Sequence, residues 1–258
     1  MKLDVIVRTH NKTNVHVQNE SRYCESDKTT LIYKCIQSLI NSCDNTDYEI
    51  HYHWFDDHST DDCIETLHKK FSSSKHPYTY YPTDETGFNW SAFYQFECGK
   101  NSNADLVYLV EDDYLHYPTA ISEMVESYLD FKKNLDREVA IHPFDDPDNY
   151  KPRWIEPCRI VYGKHRHWRT NEYTTNTVMV NPEVIRQHWS KFYTLATEYG
   201  TVWGETRGQV HEGTTINEIW RNHVSLFTPI PSLALHMQYK EQEDPYLNWK
   251  HLWDSISI

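Results

Sequence analysis

The residues with the clearest chemical potential are three consecutive acids, Glu111, Asp112 and Asp113, which directly follow the apolar run 106–110. An uninterrupted apolar run predicts a strand that is buried on both faces of a parallel sheet. Neighbouring carboxylates repel one another and stay ionised most easily when a cation lies among them. Mg²⁺ and Mn²⁺ take oxygen ligands and commonly bridge carboxylates to substrate phosphates. The triplet therefore predicts a divalent-metal site, and the alternative is a solvated acidic turn.

A second acidic pair, Asp56 and Asp57, follows the alternating apolar residues of the run 50–55. An Asp at the end of a strand can accept a hydrogen bond from a ribose hydroxyl or a base N–H. Ser59 and Asp61 stand just beyond the pair and predict the start of a helix. Taken alone, the pair does not distinguish a ligand site from an ordinary acidic helix N-terminus.

These acids need a framework that brings strand ends together, and the first half of the chain predicts one. The pattern predicts strands at 5–7, 50–54, 78–81 and 106–110, and helices after Asp27, at 63–71 and at 89–100. Alternating strands and helices are typical of a doubly wound α/β sheet, in which ligands bind at the carboxyl edge of the strands. The polar segment 8–26 is too long for a turn and is a candidate functional loop.

The second half of the chain is less regular. It predicts strands at 139–142, 159–162, 178–180 and 225–227, and helices at 182–189 and 214–222. The run 165–169 contains two His and two Arg and predicts a loop. Together the halves predict one α/β domain spanning 1–258, with a mostly parallel central sheet, helices on both faces and a mixed C-terminal part.

Composition excludes several classes of protein. The 258 residues carry a formal net charge of −13, whereas a broad nucleic-acid surface needs excess Lys and Arg. No apolar run reaches the roughly 18–20 residues of a membrane helix, and Asp4 interrupts any signal-peptide pattern. The six Cys form no C-x-x-C pair. Several of them fit as small apolar residues, so we expect buried free thiols and a cytoplasmic location.

Four segments, in this order, resemble the nucleotide-binding half of the family 2 glycosyltransferases with the GT-A (Rossmann-like) fold. They are Arg8-Thr9-His10-Asn11-Lys12, the D-D-x-S-T-D segment 56–61, Gly87-Phe88-Asn89 with Ala92, and L-x-E-D-D at 109–113. The resemblance implies that residues 1–115 form a nucleotide-sugar-binding half and residues 116–258 an acceptor-binding half.

The resemblance also implies roles for individual residues. Thr9 and Asp57 would hold the uracil base, Asp112 would bind the ribose, and Asp113 would ligate the metal. The usual D-x-D motif reads Glu111-x-Asp113 here, which assigns Glu111 to the donor site without a defined role.

Three further residues complete the expected donor site. Asn11 and Asn89 belong to the segments that carry the resemblance. Trp90 follows the Gly87 turn and is expected close to the donor, whereas the other aromatic residues of 88–96 fit better as helix core.

Two later assignments follow from the same resemblance. GT-A enzymes often supply a late His as an additional metal ligand, and His236 is the candidate; a hydrogen-bonded His near the core is the alternative. Family 2 enzymes place a catalytic carboxylate just before a helix that carries an Arg. Glu212 fits because Gly213 lets the backbone turn there. Glu205 and Glu218 stay open as alternatives for the base, although a pairing of Glu218 with Arg221 would also explain Glu218.

These expectations together predict a transferase that depends on Mn²⁺ or Mg²⁺. It would move a sugar, with inversion, from a nucleotide-diphosphate donor, expected to be a UDP-sugar, to the hydroxyl of an unidentified acceptor. A nucleotidyltransferase is an alternative that would need a Gly-rich loop after the first strand, and residues 8–26 contain no Gly. A non-catalytic sugar- or metal-binding module would use the same acids only as ligands.

Overall fold

The computed structural model describes residues 1–12, 27–85, 87–151, 157–174, 176–200, 210–238 and 246–257. Its strands are β1 (Lys2–Thr9), β2 (Glu49–Asp56), β3 (Tyr78–Pro82), β4 (Leu106–Glu111), β5 (Tyr114–His116), β6 (Val139–Ile141), β7 (Ile160–Tyr162), β8 (His167–Asn171), β9 (Val178–Val180), β10 (Ser225–Ile230) and β11 (Ala234–His236). Its α-helices are α1 (Lys28–Asp44), α2 (Asp61–Ser73), α3 (Phe88–Asn101), α4 (Ala120–Leu135), α5 (Pro182–Gln187), α6 (Trp189–Glu198), α7 (Ile216–Asn222) and α8 (Trp249–Ser255). Short 3₁₀ helices cover Pro147–Tyr150 and Glu212–Thr214.

A nine-stranded sheet in the order β3-β2-β1-β4-β9-β6-β10-β8-β7 forms the centre of the molecule. The strands β3, β2, β1 and β4 are parallel, as the apolar runs of the first half predict. In the second half, β9 lies antiparallel between β4 and β6, and β8 lies antiparallel between β10 and β7. The predicted fold class, with helices on both faces and a mixed C-terminal part, is confirmed.

Two apolar clusters cover the two faces of the sheet. One packs the buried faces of α1, α2, α4 and α8 against it, with Trp54 and Tyr108 fully buried. The other packs α3, α5, α6 and α7 against the opposite face. Helix α1 begins as expected, since the side chain of Asp27 accepts a hydrogen bond from Thr30 N at 2.9 Å.

The capping expectation at α2 is wrong. The N-cap is Thr60, and Ser59 instead accepts a hydrogen bond from Asn11 N at 3.1 Å. The backbone N–H of Ser59 donates to Asp56 Oδ2 at 2.8 Å. Ser59 therefore ties the ends of β1 and β2 together rather than starting the helix.

The run 165–169 is also not a loop, because its second part forms β8. Trp168 is fully buried against Phe131 of α4, and Arg169 is 5% exposed. Strand β8 pairs with β10 on one side and β7 on the other. A small second sheet pairs β5 with β11 in antiparallel register, which places His236 opposite Tyr114.

Two further expectations concern buried free thiols and membrane-spanning helices. Cys35, Cys43 and Cys63 are buried free thiols, as expected, while Cys158 is exposed. Cys24 lies outside the described residues. Among the helices of the described ranges, none has the length and apolar character needed to cross a membrane.

Candidate functional site

The predicted acids gather at the carboxyl ends of β1, β2 and β4. The parallel register pairs Arg8 with Glu111 and Thr9 with Asp56, so the three strands end side by side. This edge is where ligands bind in open α/β sheets. The structure therefore brings the two acidic segments together.

Asp57 directly follows β2 at this edge and is 4% exposed. Its Oδ2 accepts a hydrogen bond from Gly87 N at 2.8 Å, and its Oδ1 lies 3.2 Å from His58 Nδ1. Gly87 has a φ of 104°, a conformation that a side chain disfavours. The carboxylate of Asp57 thus fixes the turn that starts α3, and a base bound there would share these oxygens with the protein.

The side chains of Thr9 and Asn11 form hydrogen bonds to other groups of the protein. Thr9 Oγ1 donates to Asp56 Oδ1 at 2.6 Å and accepts from Trp54 Nε1 at 2.8 Å. Asn11 Nδ2 donates to the hydroxyls of Thr29 and Thr60, and Asn11 Oδ1 accepts from Thr60 N. These bonds fix Thr9 and Asn11 at the end of β1, and direct donor contacts by the two residues stay predictions.

Asp112 is held by the loop after β1 and by α1. His10 N donates to its Oδ2 at 2.8 Å, and Lys28 Nζ forms an ion pair with its Oδ1. Asp112 is 7% exposed. Lys28 therefore supplies a positive charge beside this largely buried carboxylate.

Glu111 forms an ion pair with the guanidinium of Arg8, which also donates to Ser91 Oγ at 3.2 Å. Burial raises the pKa of Glu111, Arg8 opposes that rise, and the nearby negative charge of Asp113 adds to it; the net direction is upward. The Glu111 carboxyl group is therefore easier to protonate than an ordinary Glu.

Asp113 and His236 form the second pair of the site. His236 Nε2 lies 3.4 Å from Asp113 Oδ2, and Met237 N donates to Asp113 O at 2.8 Å. The His236 ring stacks on Tyr114, with centroids 4.7 Å apart and planes at 10°. The pairing of β5 with β11 thus carries a late His to the acidic triplet.

The charges of this pair shift both pKa values. Burial alone would raise the pKa of Asp113, but the His236 imidazole lowers it, and the net direction is downward. Burial alone would lower the pKa of His236, but Asp113 and then Glu111 raise it, and the net direction is upward. Each partner stabilises the charged form of the other.

The same three residues can hold a cation. Ligand atoms of Glu111, Asp113 and His236 all lie within 4.8 Å of one another. Asp113 Oδ1 and His236 Nδ1 are buried and have no hydrogen-bond partner in the described part of the chain. Buried polar atoms normally have partners, so unsatisfied ones here are consistent with a ligand that the protein itself does not supply. Two carboxylates and an imidazole fit a divalent metal, and the imidazole favours Mn²⁺ over Mg²⁺ because Mg²⁺ takes oxygen ligands.

Asn89 and Trp90 lie in the first turn of α3, directly after the Gly87 turn that Asp57 holds. Trp90 is 42% exposed, and its ring contacts Phe93 and Tyr94 at centroid distances of 6.0 and 6.3 Å. Helix α3 also carries the buried core residues Ala92 and Phe96. An exposed ring beside the Asp57 turn is available to a ligand.

The candidate bases differ in their surroundings. Glu212 starts the 3₁₀ turn before α7, where His211 Nδ1 accepts from Gly213 N at 3.0 Å. Burial raises the pKa of Tyr199, and the charges of Glu212 and Glu111 add to that rise. The negative charges of Glu212 and Glu111 therefore both act on the Tyr199 hydroxyl.

Glu218 has a different partner from the expected one. It forms an ion pair with Lys191 of α6, whereas Arg221 donates to Gly213 O. The expected pairing of Glu218 with Arg221 is wrong, because α6 packs beside α7 and supplies the cation. Glu205 lies outside the described residues.

Sequence reasoning missed the two cations of the site. Arg8 stands out in the sequence only as part of the first segment, and Lys28 follows the helix cap without any pattern that points to Asp112. The only indication in the sequence is the cluster of acidic residues at the strand ends, because buried carboxylates need positive charges close to them.

Comparison with known proteins bears on the fold. No family model matches the chain, and no curated protein matches it. The structure of S. aureus TarS 1–349 superposes with a TM-score of 0.50 at 14% identity, over 89% of this chain and 60% of that one. TarS is a GT-A-type glycosyltransferase. This chain has the GT-A-type glycosyltransferase fold.

Two further solved structures are similar at lower TM-scores. TarS 1–349 in complex with UDP-GlcNAc gives a TM-score of 0.45 at 16% identity, over 72% of this chain and 47% of that one. The mannosyltransferase PcManGT from Pyrobaculum calidifontis, in complex with GDP-Man and Mn²⁺, gives 0.46 at 14% identity, over 72% and 46%. The chain described here spans 60% of the length of the TarS 1–349 structure.

Proposed function

We propose that this protein is a metal-dependent glycosyltransferase that uses a nucleotide-diphosphate sugar, with a UDP-sugar as the expected donor. The observation that carries the proposal is the cluster of Glu111, Asp113 and His236 at the carboxyl edge of a GT-A-type sheet. Such edges bind nucleotides, and an acidic cluster there can hold the cation that a diphosphate needs.

In this proposal Asp113 and His236 are the main metal ligands, and Glu111 lies beside them. The metal supplies charge neutralisation for the diphosphate leaving group when it is bound. The ion pair with Arg8 favours the ionised form of Glu111 and so opposes the effect of burial on its pKa. His236 gives up its proton when the imidazole becomes a ligand.

Asp57 and Asp112 bind the nucleoside in this proposal. Asp57 accepts a hydrogen bond from uracil N3–H, and Asp112 accepts one from a ribose hydroxyl. Thr9 donates to the neighbouring carboxylate of Asp56, and Asn11 donates to Thr29 and Thr60, so both fix the end of β1 beside these carboxylates. Asn89 and Trp90 stand at the start of α3, where Trp90 offers an exposed ring to the donor.

Glu212 is the proposed base. It takes the proton from the acceptor hydroxyl while the sugar carbon is attacked from the side opposite the diphosphate, which inverts the anomeric centre. The domain then divides into a donor half, 1–115, and an acceptor half, 116–258. The acceptor itself is not specified by these residues.

Donor hydrolysis tests the proposal. The purified chain is incubated with UDP-GlcNAc, UDP-glucose, UDP-galactose and GDP-mannose in turn, with Mn²⁺ or with a chelator, and released nucleotide is measured. We expect slow release of UDP from one UDP-sugar with Mn²⁺ and a loss of release with the chelator. Asp113→Ala is the matched variant, with its fold checked by circular dichroism. Metal-dependent binding of UDP-sugars without any turnover would favour a binding module, and no binding of any donor would contradict the proposal.

A further inference from the structure

A cavity of about 520 Å³ in the second half of the chain is lined by many arginines. Its described lining includes none of the residues of the acidic cluster. The arginines come from four different elements: Arg137 precedes β6, Arg159 precedes β7, Arg169 lies in β8 and Arg221 lies in α7. The fold therefore assembles this cationic lining from distant parts of the chain.

Most of this positive charge has no carboxylate partner in the described ranges. Arg169 lies 3.7 Å from Asp145, but no acid of those ranges lies within salt-bridge distance of Arg137, Arg159 or Arg221. Arg137 donates instead to Ser225 Oγ at 2.9 Å. Glu172 is the one acid in the described lining. The described lining is therefore net positive, although the chain as a whole has a formal net charge of −13.

Three buried donor atoms in the lining lack acceptors in the described part of the chain: Asn149 Nδ2 and one nitrogen each of Arg169 and Trp220. Arg169 is 5% exposed and Trp220 is 4% exposed, and both line the cavity. Arg169 Nε and Trp220 Nε1 have no acceptor in the part of the chain that the structure describes. The guanidinium of Arg169 lies 5.1 Å from the Tyr150 ring centroid, within cation–π distance. Since buried donors normally have acceptors, these three favour an acceptor-rich ligand.

We propose that this cavity binds a phosphoryl group. Guanidinium groups match the oxygens of phosphate and carboxylate in bidentate geometry. Three arginines without a carboxylate partner exceed the charge of one carboxylate, whereas a phosphoryl group carries about two negative charges and three acceptor oxygens. The group belongs either to a free phosphate ion or to a phosphate ester on a larger molecule.

Isothermal titration at constant ionic strength tests the proposal, with inorganic phosphate and methyl phosphate as the two probes. We expect saturable binding to the parent protein and a loss of affinity of about tenfold or more in the double variant Arg137→Gln/Arg159→Gln. Lys133→Gln removes one exposed positive charge of the neighbouring helix α4 and should stay within about twofold of the parent. Tighter binding of methyl phosphate indicates an ester ligand, and tighter binding of inorganic phosphate indicates the free ion.

Two further variants distinguish binding in this cavity from binding at the acidic cluster. Trp220→Phe keeps an aromatic ring and removes the buried N–H, so it should weaken phosphate binding without changing the thermal unfolding midpoint by more than a few degrees. Asp113→Ala should bind phosphate as the parent does, because Asp113 does not line the cavity. The proposal is overturned if the parent shows no saturable binding, or if the double variant binds as the parent does. It is also overturned if Lys133→Gln and the double variant lose affinity equally.

Discussion

His236 Nε2 lies 3.4 Å from Asp113 Oδ2, although the two residues stand in different halves of the chain. The pairing of β5 with β11 and the stacking of His236 on Tyr114 fix this contact. Because the two groups are oppositely charged when His236 is protonated, they stabilise each other without a metal. If the proposed metal binds, it replaces the proton of His236 and meets side chains that are already in position.

Removal of the Asp113 carboxylate should weaken metal binding strongly. Asp113→Ala leaves Glu111 and His236 without the central oxygen ligands, so we expect Mn²⁺ affinity to fall by about a hundredfold and metal-dependent donor turnover to be lost. Free Mn²⁺ is measured by electron paramagnetic resonance, and the fold by thermal unfolding. Normal turnover by this variant in Mn²⁺ buffer would show that Asp113 is not the ligand.

The variant His236→Ala tests whether His236 is a metal ligand or only a packing residue. We expect a loss of Mn²⁺ affinity of about tenfold or more, since the imidazole supplies one ligand atom. His223→Ala is the control, because His223 is exposed and stacks on His188 away from the acidic cluster. Mn²⁺ affinity equal to that of the parent would assign His236 a packing role.

The parallel half of the fold could be predicted because its strands are uninterrupted apolar runs that end in polar residues. Helix α4 was missed, although Ile121, Val125 and Tyr128 are spaced for one buried helix face. Strand β8 was missed for a physical reason. Its Arg169 is buried and is compensated by Asp145, a contact between distant positions that a polar run does not reveal.

The acids of the site could be predicted because they stand at strand ends, which the sequence pattern locates. The residues that supply their counter-ions could not be predicted. Lys28 reaches Asp112 from α1, and Arg8 reaches Glu111 across paired strands, so both contacts depend on the tertiary structure. The prediction that Ser59 caps α2 was wrong for a similar reason, since Ser59 accepts a hydrogen bond from Asn11 N, beyond the end of the neighbouring strand β1.

Asp57 should select the base. Uracil N3–H can donate a hydrogen bond to the Asp57 carboxylate, whereas cytosine N3 carries no proton to donate. Asp57→Ala should weaken UDP binding by about 1–3 kcal/mol and bring the affinities for UDP and CDP closer together. Asp84→Ala, which removes an exposed carboxylate from the loop before α3, is the control. An unchanged preference for UDP over CDP in Asp57→Ala, measured by titration calorimetry, would remove Asp57 from the base site.

His116 should make the free energy of unfolding depend on pH. Burial lowers the pKa of His116 to about 3, against about 6.5 in the unfolded chain. Between these values the unfolded state binds a proton that the folded state does not, so stability is full above pH 6.5 and is lost as the pH falls.

We expect His116→Gln to reduce the loss of stability between pH 7 and pH 5 by about 1–2 kcal/mol in urea unfolding. The Gln can still hydrogen-bond the hydroxyl of Tyr108, which lies 2.7 Å from His116 Nε2. His251→Gln, on the exposed side of α8, should keep the pH dependence of the parent. A parental pH dependence in His116→Gln would mean that other groups cause it.

Glu212→Gln should slow sugar transfer by about 10²–10⁴-fold while Mn²⁺-dependent UDP binding is kept, because the amide cannot accept the proton of the acceptor hydroxyl. Transfer is measured with the donor that the hydrolysis screen identifies and with an acceptor found by screening. Glu218→Gln is the comparison, since Glu218 is paired with Lys191 and should transfer at the parental rate. A parental rate in Glu212→Gln, with a loss in Glu218→Gln or Glu205→Gln, would move the base to that residue.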